Sequence, residues 1–198
     1  MPRVGESRVP AEPSSAGQKA RYRRILRAAA RLGARDELER VQMQDVAREA
    51  GVAIATLYRY FPSKVHLFAA VMRSQVLRLQ DEAVAPAAGQ DPIVAVSELL
   101  VRIGHQMLDQ PQLSLSMIQA NNLAQKVPES GSDQIDATFE QIVMRTAGYA
   151  EDPTPDRHRR ARLVIQCWFG VLMSVLNGRT SAEESDADVR RACELLLG

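Results

Sequence analysis

The stretch GVAIATLYRYFPSKVHLF, residues 51–68, decides the fold. It follows residues 43–50, where Val46, Ala47 and Ala50 recur at helical spacing, and Gly51 stands where such a helix stops. Gly51, Val52 and Ala53 form a short turn, and residues 54–60 read as a second short helix. Phe61-Pro62 ends it, because proline drives its predecessor out of the helical region. Ser63 is placed to cap a further helix beginning at Lys64. Two short helices joined this tightly make a helix-turn-helix, and a third helix packed across them completes a three-helix unit.

Upstream, a helix is expected from Gln18, with Tyr22, Ile25, Leu26, Ala29 and Leu32 on one side and Gly33 as its stop signal. Lys19, Arg21, Arg23, Arg24, Arg27 and Arg31 occupy much of the remainder. Residues 1–16, rich in Pro, Ser, Gly and Glu, cannot bury enough surface to order themselves. Downstream, the helix from Lys64 continues to about residue 83, and APAAGQDP reads as a linker. Asp91 is the N-cap and Pro92 the first position of the next helix. That helix is expected to run over 93–108, and further helices over 111–125, 133–147 and 155–177, with a break at Pro128-Glu-Ser-Gly. Either Ser181 or Ser185 starts the last one. The expected fold is all-α with about nine helices.

Composition bounds the function. The 198 residues suffice for a core without disulfides or metal. No apolar run reaches the roughly 20 residues of a membrane span, and the N-terminus has no secretory h-region, so the expected location is the cytoplasm. Cys167 and Cys193 sit in apolar helical contexts and read as buried, reduced thiols. Residues 1–64 hold 13 Lys and Arg against 7 Asp and Glu, whereas residues 65–198 hold 12 against 17. A basic first third on an acidic remainder suits a module that binds a polyanion joined to one that avoids it.

The side chains of the turn divide accordingly. Leu57 and Phe61, four apart, share a face and belong with Val46, Ala50 and Val52 in the core. Thr56, Tyr58, Arg59 and Tyr60 are left facing out or at the edge. Tyrosine hydroxyls can donate to phosphate oxygens while their rings pack on sugar; the alternative is two half-buried packing residues with wet tips. Lys64 adds a charge at a helix N-terminus, a favourable phosphate site.

The segment VQMQDVAREAGVAIATLYRYFPSKVHLFAAVM (residues 41–72) resembles the DNA-binding domain of the TetR (tetracycline-repressor) family of bacterial transcription regulators, through its D-V-A-x-x-A-G-V, T-L-Y-x-Y-F and S-K elements. The resemblance implies a disordered arm over 1–16, a DNA-binding domain over 17–64 and a ligand-binding and dimerisation domain over 65–198. It implies contact of Thr56, Tyr58, Tyr60 and Lys64 with the DNA backbone or groove edge. Three positions depart from the family: Ala53 stands for the usual capping Ser, Ala55 for a Gly, and His66 for the Glu that closes a capping box with Ser63. Gln44, Ala53, Ile54 and Ala55 then offer mostly apolar contact, so more of the specificity falls to Arg59 and to the arm. That arm, carrying Arg3 and Arg8, either reaches a minor groove or remains a non-binding tail.

The resemblance further implies a homodimer on a double-stranded operator, regulated by a small hydrophobic effector, with no cofactor and no membrane. On independent grounds, the helix over 155–177 is apolar on nearly every side. With Val189, Cys193 and Leu196 of the last helix it reads as a four-helix dimer interface, the alternative being ordinary monomer core. Leu100, Ile103, Met107, Met117, Ile118, Phe139, Ile142, Val143, Trp168, Phe169 and Met173 suit an apolar pocket, and each equally suits plain core. Asn121, Asn122 and Gln166 are the polar groups available to orient a ligand, or lie at the surface. The chain looks closest to the actinobacterial branch that represses sterol and cholesterol catabolism, which implies a steroid or an acyl coenzyme A thioester as effector. Multidrug-sensing and activating regulators of the same family are the alternatives. No metal spacing, P-loop or nucleophile motif supports an enzyme, and a helical partner-binding module would lack the salt dependence that DNA contact imposes.

Overall fold

The computed structural model describes residues 10–82, 89–125 and 132–198. Arg3, Arg8, the first part of the expected linker and the break at Pro128-Glu-Ser-Gly lie outside them. Every regular element among the described residues is a helix, nine in all. They fall into two compact units, Met1–Ser74 with Gln112–Asp133, and Gln75–Pro111 with Gln134–Gly198.

In the first unit, α1 (Ala16–Gly33) starts two residues earlier than the apolar pattern suggests. Ser15 and Gln18 form a reciprocal capping box there, each side chain accepting the other's backbone N–H. Helix α2 (Met43–Ala50) ends at Gly51, whose φ of 63° is the left-handed conformation glycine adopts without a Cβ penalty. The Arg24 side chain, on α1, donates to the free Ala50 carbonyl at 3.3 Å and ties α1 to the end of α2. Helix α3 (Ile54–Tyr60) follows, and Ala53 at its N-cap supplies no side-chain bond. Helix α4 (Lys64–Glu82) contributes its first half to this unit.

Gly33 has a different role from the one expected. The C-cap after it, Ala34, is right-handed, so no left-handed stop is needed. A Cβ on Gly33 would instead stand 2.4 Å from the Phe68 ring and 3.3 Å from Leu113. The glycine is there for close approach. Leu113 lies on α6 (Pro111–Ala124), and with Met117 and Ala120 it joins Ile25, Leu38, Val46, Leu57, Phe61 and Phe68 in one core. The first unit therefore takes in the start of α4 and nearly all of α6 besides residues 17–64.

The second unit holds α5 (Pro92–Leu108), α7 (Ser132–Thr146), α8 (Pro155–Leu176) and α9 (Ala182–Leu197), with α9 packed on both α8 and α5. Its helix starts follow local chemistry. Asp91 accepts from the Ile93 N–H at 2.8 Å, and Thr154 caps α8 with Pro155 at its first position. Ser181, rather than Ser185, starts α9, because Glu184 is three residues on and closes a capping box. Trp168 anchors the core: its indole Nε1 donates to the Leu100 carbonyl at 2.9 Å and its ring lies 5.3 Å from that of Phe139. Of the two thiols expected to be buried, Cys193 is, and burial pushes it up to about 11. Cys167 is exposed, because it precedes Trp168 on α8 and the inward stripe of Val164, Trp168 and Leu172 turns it out.

Candidate DNA-binding surface

Helix α3 is held by three side chains, not two. Leu57, Tyr60 and Phe61 are at most 2 % exposed, so Tyr60, expected at the outer edge, is core. Residues i, i+3 and i+4 share a helix face, and Tyr60 is three past Leu57. Its ring meets Tyr22 of α1 edge-on at 5.7 Å, and Tyr22 packs on Phe61 at 4.9 Å. Burial raises the Tyr22 phenol above its ordinary range, opposed by Arg73, which donates to it. Tyr22 is thus the partner that a reading of α3 alone does not find; its place on the apolar stripe of α1 was the available signal.

What remains outside is Ala53, Ile54, Ala55, Tyr58 and Arg59, with Thr56 half-buried and Gln44 exposed on α2. Ile54 and Tyr58, four apart, are 38 % and 47 % exposed. The Arg59 guanidinium leans back over the Tyr60 ring, 5.2 Å from its centroid.

Lys64, expected to point at phosphate, is turned inward. Its Nζ donates to the carbonyls of Leu38, Glu39 and Val41 at 2.9, 2.7 and 3.3 Å, which uses all three ammonium protons. The connection between α1 and α2 presents these carbonyls together and needs a donor there. Lys64→Met is therefore expected to lower the stability of the unit by about 2 kcal/mol, seen as a lower thermal midpoint. The salt slope of DNA binding should stay unchanged; removal of a phosphate contact would instead flatten it by about 0.9. The same connection is held from α6, where Gln119 donates to the Glu39 carboxylate at 2.6 Å and lowers its pKa.

The His66 departure is absorbed locally. The Ser63 hydroxyl accepts from the His66 N–H at 3.4 Å and lies 2.9 Å from the imidazole Nδ1, so the ring engages the cap's hydroxyl where a carboxylate would engage its backbone N–H. Burial lowers the His66 pKa. The folded state then binds that proton less readily than the unfolded chain. The stability contributed is complete above the ordinary histidine value, about 6.5, and is lost as pH falls toward the lowered one. Melting curves should show a smaller loss between about pH 7.5 and 5.5 for His66→Gln than for the natural chain.

Charge follows the geometry. Residues 10–74 carry 12 Lys and Arg against 6 Asp and Glu, and Lys19, Arg23, Arg27 and Arg35 are exposed. Arg31 pairs with Glu49 at 2.6 Å, and Arg48 with Asp45.

The expected pocket residues divide between the units. Leu100, Ile103, Ile142, Val143 and Trp168 are buried and Met107, Phe139 and Phe169 half-buried in the second. Met117, Ile118 and Asn121 are buried in the first. The Asn121 side-chain oxygen is buried without a hydrogen-bond partner. Asn122 and Gln166 are exposed. On the paired helices α8 and α9, Leu163 and Leu195 are 43 % and 65 % exposed, and Gly170 faces open space. Among the described residues no cluster of His, Cys, Asp or Glu is arranged to hold a metal, and no helix is long and apolar enough to cross a membrane.

Two family models match this chain: "Bacterial regulatory proteins, tetR family" over residues 25–71 and "Tetracyclin repressor-like, C-terminal domain" over residues 89–196. The HTH-type transcriptional repressor KstR of Rhodococcus jostii is 34% identical over 185 residues, 93% of this chain and 86% of that protein. KstR of Mycobacterium tuberculosis is 32% identical over 188 residues, 94% of this chain and 85% of the relative. Among solved structures, a TetR transcriptional regulator from Rhodococcus sp. RHA1 superposes with a TM-score of 0.80 at 48% identity, covering 91% of this chain and 96% of that one.

Proposed function

Because the chain belongs to the TetR family of bacterial transcription regulators, we propose that it is a repressor that binds a pseudo-palindromic operator as a dimer and is released by a hydrophobic small molecule. The observation that carries the DNA-binding half is the outward face of α3, set in residues 10–74, which carry 12 basic against 6 acidic residues. Tyr58, Thr56 and the exposed arginines of α1 grip phosphate and sugar, fixing register without reading sequence. Repression is supported by the relatives, which are transcriptional repressors by name.

Helices α8 and α9 form the dimer interface, and their exposed leucines are the groups it covers. A two-fold pair then sets its recognition helices about 34–36 Å apart, one turn of the duplex. Leu195→Glu should shift the protein toward monomer in sedimentation and weaken operator binding, since a buried unpaired carboxylate is costly.

The effector is a steroid or an acyl coenzyme A thioester, a reading supported by the likeness to the sterol-catabolism branch and by the apolar helices of the carboxy-terminal domain. It releases DNA by binding more tightly to a state whose recognition helices no longer match both half-sites. The test is fluorescence anisotropy with duplexes from the protein's own upstream region. Affinity should fall steeply with salt, about 0.9 in log–log slope per neutralised phosphate. Binding indifferent to salt would sink the DNA reading. Unchanged affinity with saturating steroid and thioester would remove this effector class.

A further inference from the structure

We infer that this protein reads its operator chiefly through thymine methyl groups, which Ala53, Ile54 and Ala55 cover in the major groove. The inference rests on the DNA-binding reading and concerns how that surface specifies sequence.

Of the two cations that the sequence assigns to the DNA face of this motif, one is withdrawn from it and the other, though exposed, leans back over a buried ring. Arg59 lies over Tyr60, and Lys64 gives its protons to three carbonyls. Tyr60 is buried. The neutral hydrogen-bonding groups left are few: Gln44 on α2, half-buried Thr56, and Tyr58 one turn along from Ile54. At the start of α3 three successive exposed side chains, Ala53, Ile54 and Ala55, are apolar, with Ile54 38 % exposed to water.

Those three side chains cannot accept from or donate to a base edge. Among the four base pairs the major groove presents one apolar group, the C5 methyl of thymine. The surrounding residues 10–74 are basic, 12 against 6, which draws a polyanion over this face and not a second copy of the same basic segment. Thymine methyls are therefore the occupants that match it in chemistry as well as charge. An isoleucine pressed on a methyl removes both from water, and the gain scales with apolar area, not with hydrogen-bond geometry.

The test needs no prior operator. The full-length chain selects its duplex from a random pool, and each thymine of the selected half-site is then replaced by deoxyuridine. This removes the methyl and leaves the base pairing intact. We expect affinity to fall about fourfold at each covered thymine. Ile54→Ala and Ala55→Ser, both at exposed positions and expected to melt like the natural chain, should shrink that penalty at the thymine each side chain covers. At a covered position, 5-methylcytosine should bind better than cytosine. Deoxyuridine tolerated at every position, a selected half-site without thymine, or penalties unchanged in both variants would overturn the inference while leaving DNA binding intact. If the pool yields no preferred duplex, the reading beneath the inference fails and the inference with it.

Discussion

Phe68→Ala is expected to destabilise the first compact unit strongly and to weaken operator binding. Phe68 is fully buried, and its ring lies so close to Gly33 that even a methyl there would overlap it. The ring also reaches the part of α1 that meets Leu113 on α6, so its removal opens a void shared by three helices. Removing a phenylalanine from such a site costs about 3–5 kcal/mol in lost transfer energy and unfilled volume. A domain of this size holds only about 5–15 kcal/mol in total. Urea denaturation with anisotropy on the same samples would check it. A midpoint within error of the natural chain would mean that the surrounding helices collapse into the space. The converse change is informative too. Gly33→Ala alone should destabilise by overpacking, about 1–3 kcal/mol, and Phe68→Leu in the same chain should recover part of it, a coupling that a double-mutant cycle measures.

Trp168→Ala should have an effect of similar size in the second unit, about 3–5 kcal/mol. The indole is 6 % exposed, stacks against Phe139 and donates to the Leu100 carbonyl. Trp168→Phe separates the contributions. It keeps most of the apolar volume and removes the N–H, so about 1–2 kcal/mol should be lost. Because Trp168 is the only tryptophan, the intrinsic fluorescence of the natural chain reports unfolding of this unit selectively. Circular dichroism of the alanine variant should show whether the first unit melts with the second or independently.

The helix-turn-helix was legible because each of its signals is local. Val46, Ala47 and Ala50 mark one face of α2, Gly51 adopts the left-handed stop, and Phe61-Pro62 ends α3. Helix starts were equally local, down to the Ser181–Glu184 box that decides between two candidate serines four residues apart. The side of α3 on which Tyr60 falls was not, since that needs the position of Tyr22 on a helix some forty residues earlier. Lys64 misled for the same reason: a lysine at a helix start looks like a phosphate ligand until the Leu38, Glu39 and Val41 carbonyls are placed around it.

The sequence by itself determined the all-α architecture, the DNA-binding motif and the family, because periodicity, caps and turn residues act over a few positions. Only the tertiary structure decided which outward residues of that motif remain free, that Gly33 is a packing site, and that α6 shares a core with α1 and α4. These are matters of contact between segments distant in the chain. A helix face is known from spacing, but what covers it is set by which other face has the complementary shape and the unsatisfied carbonyls.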